Sequence, residues 1–323
     1  MIVAFIDELR AEGHAVESIC RVLREQGCQI AARTYRDWAR ANRPVAARTI
    51  SDATVINVIR EAVWKVDDHG VRRMMPEGLY GRRKMTALVR RTLVHASPGS
   101  VDRAMRSLVL QGVRRSKGVR TTVPAADGKR AGDLLDRDFT AIAPNRTWVM
   151  DFTYVRTWAG FCYVAFILDV FAHKIVAWNV ASTKTVELVD APLRMALWQR
   201  EREGHRVVRG ELIAHADAGS QYTSIAFTDH LADEGIRPSI GSVADAYDNA
   251  LMECVIGLFK TECVRTTVFH LGPYRTPSDV EYATASWVDW YNNRRLHSSL
   301  GMMTPTQYEQ AHYATLTREP QPA

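Results

Sequence analysis

Apolar positions in the first forty residues recur at helical spacing. Ile2, Phe5, Ile6 and Leu9 form one stripe and Val16, Ile19, Cys20 and Leu23 a second, at the intervals that line one helix face. Gly27 closes the second helix, and Ala32–Arg40 predicts a third. Helix, glycine-containing turn and helix fit a helix-turn-helix and a plain helical hairpin equally well. Residues 50–66 predict another helix, and 67–84 read as a polar loop. A helix over Arg82–Val94 comes next, then the breaker Pro98–Gly99, with Ser100 as N-cap of a helix over Val101–Gln111 that Gly112 ends. This second helix-turn-helix candidate is the stronger, because its helices are strongly basic. The stretch Ser116–Asp133, rich in Thr, Ala, Gly and charge, reads as a linker.

From Arg146 the period changes from helical to alternating. Residues 147–155, 161–171 and 173–182 are three β-rich runs with short turns at Ala159–Gly160 and Ala172–His173, the pattern of an antiparallel meander. A helix over Val186–Glu203, a strand in 211–219, a helix over Ser224–Gly235, a short strand at Pro238–Ile240 and a long helix over Tyr247–Cys263 follow. Three antiparallel strands and then alternating helix and strand predict an α/β domain with a mixed sheet.

Composition adds mainly exclusions. The chain has 323 residues, 46% apolar and 24% charged, the profile of a folded globular protein of two or three domains. No apolar run reaches membrane-span length, since the longest, near Phe161–Val170, is interrupted by Asp169. The N-terminus carries acids early and lacks the basic flank of a signal peptide, so a cytoplasmic protein is expected. The five cysteines show no paired CxxC spacing and read as ordinary thiols in a reducing compartment, neither a disulfide framework nor a zinc knuckle.

Charge is divided unevenly. Residues 1–130 hold 25 Lys/Arg against 13 Asp/Glu, while residues 131–323 hold 17 against 23. Arg82, Arg83, Lys84, Arg90, Arg91, Arg103, Arg106, Arg114, Arg115, Lys117 and Arg120 crowd into about 40 residues. Such a basic front half suits a polyanion, although charge by itself equally describes a solvated helix face.

Three carboxylates sit where this architecture would bring them together. Asp151 lies mid-strand among apolar residues, Asp217 ends a short strand, and Glu253 lies on the long helix. On that helix Asn249, Glu253 and Lys260 are spaced to share a face. A carboxylate within an apolar strand costs several kcal/mol unless it is paired or binds a metal. Hard oxygen ligands without Cys or His suit Mg²⁺ or Mn²⁺ rather than zinc.

The motifs W-x-x-D-F-T-Y (Trp148–Tyr154), H-x-D-x-G-S-Q-Y (His215–Tyr222) and Y-D-N-A-x-x-E (Tyr247–Glu253) occur in order, with 35 residues between Asp217 and Glu253 and Lys260 seven beyond Glu253. With the tail at Tyr291–Pro305, the chain resembles the DDE transposases of insertion sequences, in particular the second-reading-frame (OrfB) product of the IS-three family. Ala216, Ala218 and Cys254 depart from the residues common beside the acids. They flank the ligands and leave the acids intact.

That resemblance implies a retroviral-integrase-like, RNase H-like core preceded by all-helical helix-turn-helix regions. The expected domains are 1–45 (helical), 46–118 (DNA-binding), 119–139 (linker), 140–265 (DDE catalytic core) and 266–323 (C-terminal helical extension). It implies that Asp151, Asp217 and Glu253 are catalytic and hold two Mg²⁺ or Mn²⁺ ions, and that Lys260 contacts DNA near the scissile phosphate. Asn249, Gln221, Arg82, Arg83, Lys84 and Arg295 are expected to meet DNA, with Tyr247, Asn292 and His297 as further candidates. His215 reads as a satisfied strand residue, and Trp287, Trp290 and Tyr291 as core. The implied partners are DNA (inverted repeats and target), a homo-oligomer, and the upstream-frame (OrfA) product, free or fused. No heptad stretch is present to supply its own zipper. The implied reaction is cleavage at the inverted repeats and strand transfer by the freed 3′-hydroxyl. The alternatives are an inactive DNA-binding repressor and an RNase H-like nuclease.

Overall fold

The structure is a computed structural model that describes residues 2–40, 45–114, 140–217, 219–241 and 249–316. The expected linker at 119–139, Tyr247, Arg115, Lys117 and Arg120 lie outside these residues. The chain divides into two compact units, Met1–Thr54 and Val55–Ala323.

In the first unit α1 (Ile2–Ala11), α2 (Val16–Glu25) and α3 (Ala32–Ala39) surround a small core of Ile6, Ile19, Cys20, Ile30 and Tyr35. The Tyr35 hydroxyl donates to Asp7 and accepts from Arg10 at 2.8 Å. Gly27 takes φ +85° where α2 ends, a conformation glycine adopts without strain.

In the second unit, Val55, Ile59 and Val63 of α4 (Ala47–Val63) join one hydrophobic cluster that runs through Leu79, Met85, Val101, Phe166, Phe259, Trp287 and Leu296. The helical segment from residue 55 onward and the sheet domain therefore share a core, rather than dividing near residue 118. The end of the predicted helix and part of the expected polar loop form a hairpin, β1 (Trp64–Val66) and β2 (Arg72–Met74). Asp67 closes it by accepting from the His69 and Val71 amides and from Arg73, and Gly70 supplies φ +75°. Its strands are three residues each, too short for alternation to reveal them.

Helix α5 (Arg82–Arg90) ends a turn early, and α6 (Pro98–Ser107) starts earlier than predicted. The N-cap is Ser97, whose hydroxyl accepts from the Ser100 amide at 3.0 Å. Pro98 occupies the first turn, where its missing N–H costs nothing. Gly112 passes so close to Gly81 that a side chain there would lie 2.5 Å from the Gly81 backbone.

The central sheet has strand order β5-β4-β3-β6-β7. Strands β3 (Thr147–Thr157), β4 (Gly160–Asp169) and β5 (Lys174–Ala181) form the predicted antiparallel meander, and β6 (Ile213–Ala216) and β7 (Arg237–Ile240) run parallel to β3. Alternation divides β3 between two cores. Trp148 and Met150 pack with α7 (Glu187–Arg202) and α8 (Ile225–Asp233). Val149 and Val155 face α9 (Ala250–Leu258) and α10 (Pro277–Asn293). Trp287, Trp290 and Tyr291 on α10 are buried, as their helical spacing predicted. A last helix, α11 (Pro305–Leu316), packs on α10.

The long helix predicted to Cys263 changes character at Phe259, where a π-helical turn (Phe259–Val264) begins. The turn is anchored by a buried ion pair. Arg295 donates to both Glu262 oxygens, at 2.6 Å from one Nη and 2.9 Å from Nε, and Trp287 Nε1 adds a bond at 3.3 Å. The Leu296 amide donates to the Tyr80 hydroxyl at 2.9 Å and Trp290 Nε1 to Glu77 at 3.2 Å, tying residues 77–80 to the same corner.

Removing one member of a buried pair strands the other charge. Arg295→Ala is therefore expected to lower stability by about 3–5 kcal/mol in denaturant titration. The joint change Glu262→Gln/Arg295→Met is expected to recover most of that loss; a double variant as unstable as the single would remove charge stranding as the cause.

Candidate active site

Two aspartates sit in adjacent strands and meet opposite fates. Asp169, at the end of β4, is fully buried and compensated: it accepts from the Asn145 and Phe171 amides at 2.7 and 3.0 Å and from Trp148 Nε1 at 3.2 Å, with Arg200 at 3.5 Å. Asp151, opposite Phe166 in β3, is half-buried and accepts the Phe152 amide at 2.7 Å. Burial first, then the negative charge of Asp217 and more weakly that of Glu253, push its carboxyl up to about 7; Lys260 partly offsets them. Negative charge thus gathers at Asp151 without the cations that neutralise Asp169.

Asp217 follows the last residue of β6 and is exposed. Its Oδ1 accepts the Gly219 amide at 3.1 Å, and a Cβ on Gly219 would come within 2.9 Å of that same oxygen. Glycine at 219 therefore leaves room for the carboxylate. Gln221 donates to the Lys184 carbonyl at 3.0 Å and ties this loop to the chain after β5. His215 is buried with Nδ1 2.9 Å from Ser239 Oγ, a strand-to-strand contact, as expected of a satisfied residue. Tyr222 closes the second motif, and the sequence pattern assigns it no role. It is buried beneath the site, and burial first, then Asp151 and Asp217, raise its hydroxyl pKa well above the ordinary value.

Glu253 is exposed in the first turn of α9. Asn249, just before the helix, is 7% exposed and its Nδ2 donates to the Met150 carbonyl at 3.0 Å. It acts as a positioning residue, fastening the start of α9 to the strand residue next to Asp151, and this burial replaces the DNA contact expected of it. Lys260 lies at the onset of the π turn with Nζ 5.2 Å from the Tyr154 ring centroid. Burial and Arg265 lower its pKa, while Asp151 opposes them.

The three carboxylates thus lie around the point where the pairing of β3 with β6 ends. Among the described residues, no three His, Cys, Asp or Glu side chains converge closely enough to chelate an ion as they stand. The donor chemistry nevertheless fits a hard divalent cation: three carboxylates, no sulfur, and mutual repulsion that a cation would relieve.

The other expected DNA contacts divide by exposure. Arg82 and Arg83, opening α5, are exposed, whereas Lys84 is half-buried. Burial and then Arg295 push the Lys84 ammonium down to about 8, against the pull of Glu262. These three residues line a pocket of about 440 Å³ with Tyr80, Leu258 and Arg295. Arg295 itself is 4% exposed and spends its charge on Glu262. Asn292 is held by both backbone groups of Ile175. His297, pushed down to about 2 mainly by burial, is neutral. Arg295, Asn292 and His297 are corrected to structural residues, because each has its polar groups turned inward.

Family models described as "Integrase core domain" match residues 141–246 and 234–305. The chain is 45% identical over 241 residues to the putative transposase for insertion sequence element IS986/IS6110 of Mycobacterium tuberculosis, covering 75% of this chain and 85% of that one. It is 43% identical to the transposase for IS629 of Shigella sonnei (74% and 76% covered). Against transposase InsF for IS3A of Escherichia coli K12 it is 28% identical, with 96% and 99% covered. The catalytic core of HTLV-2 integrase, solved in complex with magnesium, aligns over 52% of this chain and 98% of its own at 15% identity and TM-score 0.38. The chain belongs to the DDE transposases of insertion sequences, in the IS-three family.

The raised Asp151 pKa has a signed consequence for the metal-free protein. Between the unfolded-state value near 4 and the folded value near 7, the folded state holds a proton that the unfolded state has released. Stability is therefore expected to fall as pH rises through that window, by at most about 1.4 kcal/mol per pH unit from this group. Asp151→Asn should flatten the dependence and raise Tm at pH 8 in EDTA. Parallel melting curves for the two proteins from pH 4 to 8 would count against an uncompensated Asp151.

Proposed function

We propose that this transposase hydrolyses a phosphodiester at the end of its insertion sequence and uses the freed 3′-hydroxyl to attack a second phosphodiester in target DNA. The supporting observation is the gathering of Asp151, Asp217 and Glu253 where β3–β6 pairing ends, with the Asp151 carboxyl pushed up to about 7 by burial and its two neighbours. Two divalent cations, Mg²⁺ or Mn²⁺, would supply Lewis acidity at the attacking and leaving oxygens.

The chain's own groups have separable tasks. Asp151, Asp217 and Glu253 would hold the ions. Asn249 keeps Glu253 in place through the Met150 carbonyl, and Tyr222 closes the floor beneath Asp151 and Asp217. Lys260, a cation beside Asp151, is suited to a non-bridging phosphate oxygen near the scissile bond. In the first step a water oxygen bonds to phosphorus and the 3′-oxygen leaves. In the second, that 3′-oxygen bonds to the target phosphorus and the target's own 3′-oxygen leaves. The second step exchanges one phosphodiester for another, so no nucleotide cofactor is needed.

Arg82 and Arg83 are proposed to contact DNA phosphates, with Gln221 near the substrate strand. The working form is proposed to be a homo-oligomer on DNA, with the OrfA product, free or fused, as a further partner. No helix among the described residues is long and apolar enough to cross a membrane, and a cytoplasmic, nucleoid-associated location is proposed.

Asp151→Asn, Asp217→Asn and Glu253→Gln are each expected to abolish Mg²⁺- or Mn²⁺-dependent nicking of a labelled element-end duplex while leaving its binding largely intact. Retained cleavage by any one would remove that residue from the site, and binding without cleavage by the wild type, alone and fused to OrfA, would favour the repressor reading. Arg82→Ala/Arg83→Ala is expected to weaken DNA binding and reduce the log–log salt slope by about 2, at roughly 0.9 for each phosphate that is no longer neutralised. An unchanged slope would return these arginines to a solvated helix face.

A further inference from the structure

Beyond the carboxylates, the β3–β4 hairpin carries aromatic side chains that no core absorbs. Tyr154 is 59% exposed, Phe161 53% and Trp158 71%. Tyr154 and Phe161 meet edge to face with ring centroids 5.4 Å apart. In the β3–β4 register Tyr154 lies opposite Tyr163 and Arg156 opposite Phe161, so these four side chains share one face of the sheet.

Cations are set against these rings. Lys260 Nζ is 5.2 Å from the Tyr154 centroid, Lys184 Nζ 5.5 Å from that of Tyr163, and the Arg275 guanidinium 5.4 Å from the Trp158 ring. The platform is also firmly held. The Trp158 and Ala159 amides at the hairpin tip donate to the Tyr274 and Arg275 carbonyls, each at 3.0 Å.

Rings with open faces, interleaved with cations, are what a single nucleic-acid strand needs: bases stack and phosphates are neutralised. A duplex keeps its bases stacked inside and offers such rings nothing. The position agrees. Tyr154 lies three residues beyond Asp151, about 10 Å along the strand and on its other face, so the two are linked around the strand edge by Lys260, which lies near both. Beyond Met150, β3 has no pairing with β6, and Lys260 reaches from the acid at that open edge to the Tyr154 ring.

We infer that Tyr154 and Phe161, with Arg156, Lys184 and Lys260, form a stacking site for unpaired DNA nucleotides adjoining the scissile position. The inference rests on the proposed function for its substrate. It adds that the strand is received with bases exposed, so the DNA end is locally unpaired where it enters the site.

The test is binding by the full chain of a fluorescein-labelled oligothymidylate of about 12 nucleotides and of a duplex of equal length, followed by anisotropy. Tyr154→Ala/Phe161→Ala is expected to weaken single-strand binding about tenfold or more, since one stacked base contributes about 1–3 kcal/mol, and to change duplex binding less than about twofold. Tyr154→Phe, which keeps the ring, should bind as the wild type does. An unaltered melting temperature, expected for exposed side chains, confirms folding. Equal losses for single strand and duplex, or no loss in the double alanine variant, would overturn the stacking site. Asp151→Asn separates the two ideas. It keeps the rings and should bind oligothymidylate normally, so its failure to lose cleavage would count against the proposed catalytic acids and leave the stacking site standing.

Discussion

Parallel pairing between β6 and β3 ends at Met150 opposite Ala216, and much of the site follows from that point. Up to it, backbone hydrogen bonds hold two strands whose carboxyl ends point the same way, so Asp151 and Asp217 emerge one residue past the last pair on neighbouring chains. Beyond it, Asn249 supplies a side-chain donor to the Met150 carbonyl, and that bond brings the start of α9, with Glu253, to the same point on β3. The edge left open past Asp151 is where Lys260 and the hairpin aromatics gather. Location at the carboxyl ends of parallel strands, where the order reverses about β3, is general to open α/β sheets.

Electrostatic compensation is distributed very unevenly over the domain. Asp169, Glu262 and Glu309 are buried acids with arginines beside them, from Arg200 or Arg295. Lys174 also reaches Glu309 at 2.7 Å. Asp169–Arg200 and Lys174–Glu309 fasten helices to the sheet, and Glu262–Arg295 fastens the π turn to the chain after α10. Asp151 accepts a backbone amide and faces two repelling carboxylates that Lys260 only partly offsets. A site held in partly compensated repulsion is less stable than it need be without a cation, while the buried acids around it are paired with arginines.

The helical segment beginning at Val55 is joined to the catalytic sheet by more than proximity. Tyr80 and Glu77 bond to the chain around Trp290 and Leu296, and the basic start of α5 shares a pocket with the Glu262–Arg295 pair that anchors the π turn. Lys260 lies in that turn. The exposed Arg82 and Arg83 and the acid site are thereby carried on one framework.

The sequence by itself determined the acids, their order and the sheet. An aspartate within an apolar strand is costly wherever it folds, and alternation over Thr147–Ala181 admits few pairings besides a meander. The buried aromatics of α10 were legible for the same reason, since helical spacing puts Trp287, Trp290 and Tyr291 on related faces. What a polar side chain touches was not legible. Asn249, Arg295, Asn292 and His297 looked like surface contacts because sequence carries no measure of burial, and each found its partner on another segment of the fold: Met150, Glu262, Ile175 or the Tyr291 carbonyl. The π turn at Phe259 and the shared core of residues 55–114 with the sheet also depend on long-range packing. Local pattern settles which face of an element is apolar; only the folded chain decides which polar groups that packing encloses, and therefore which charges stay free for DNA.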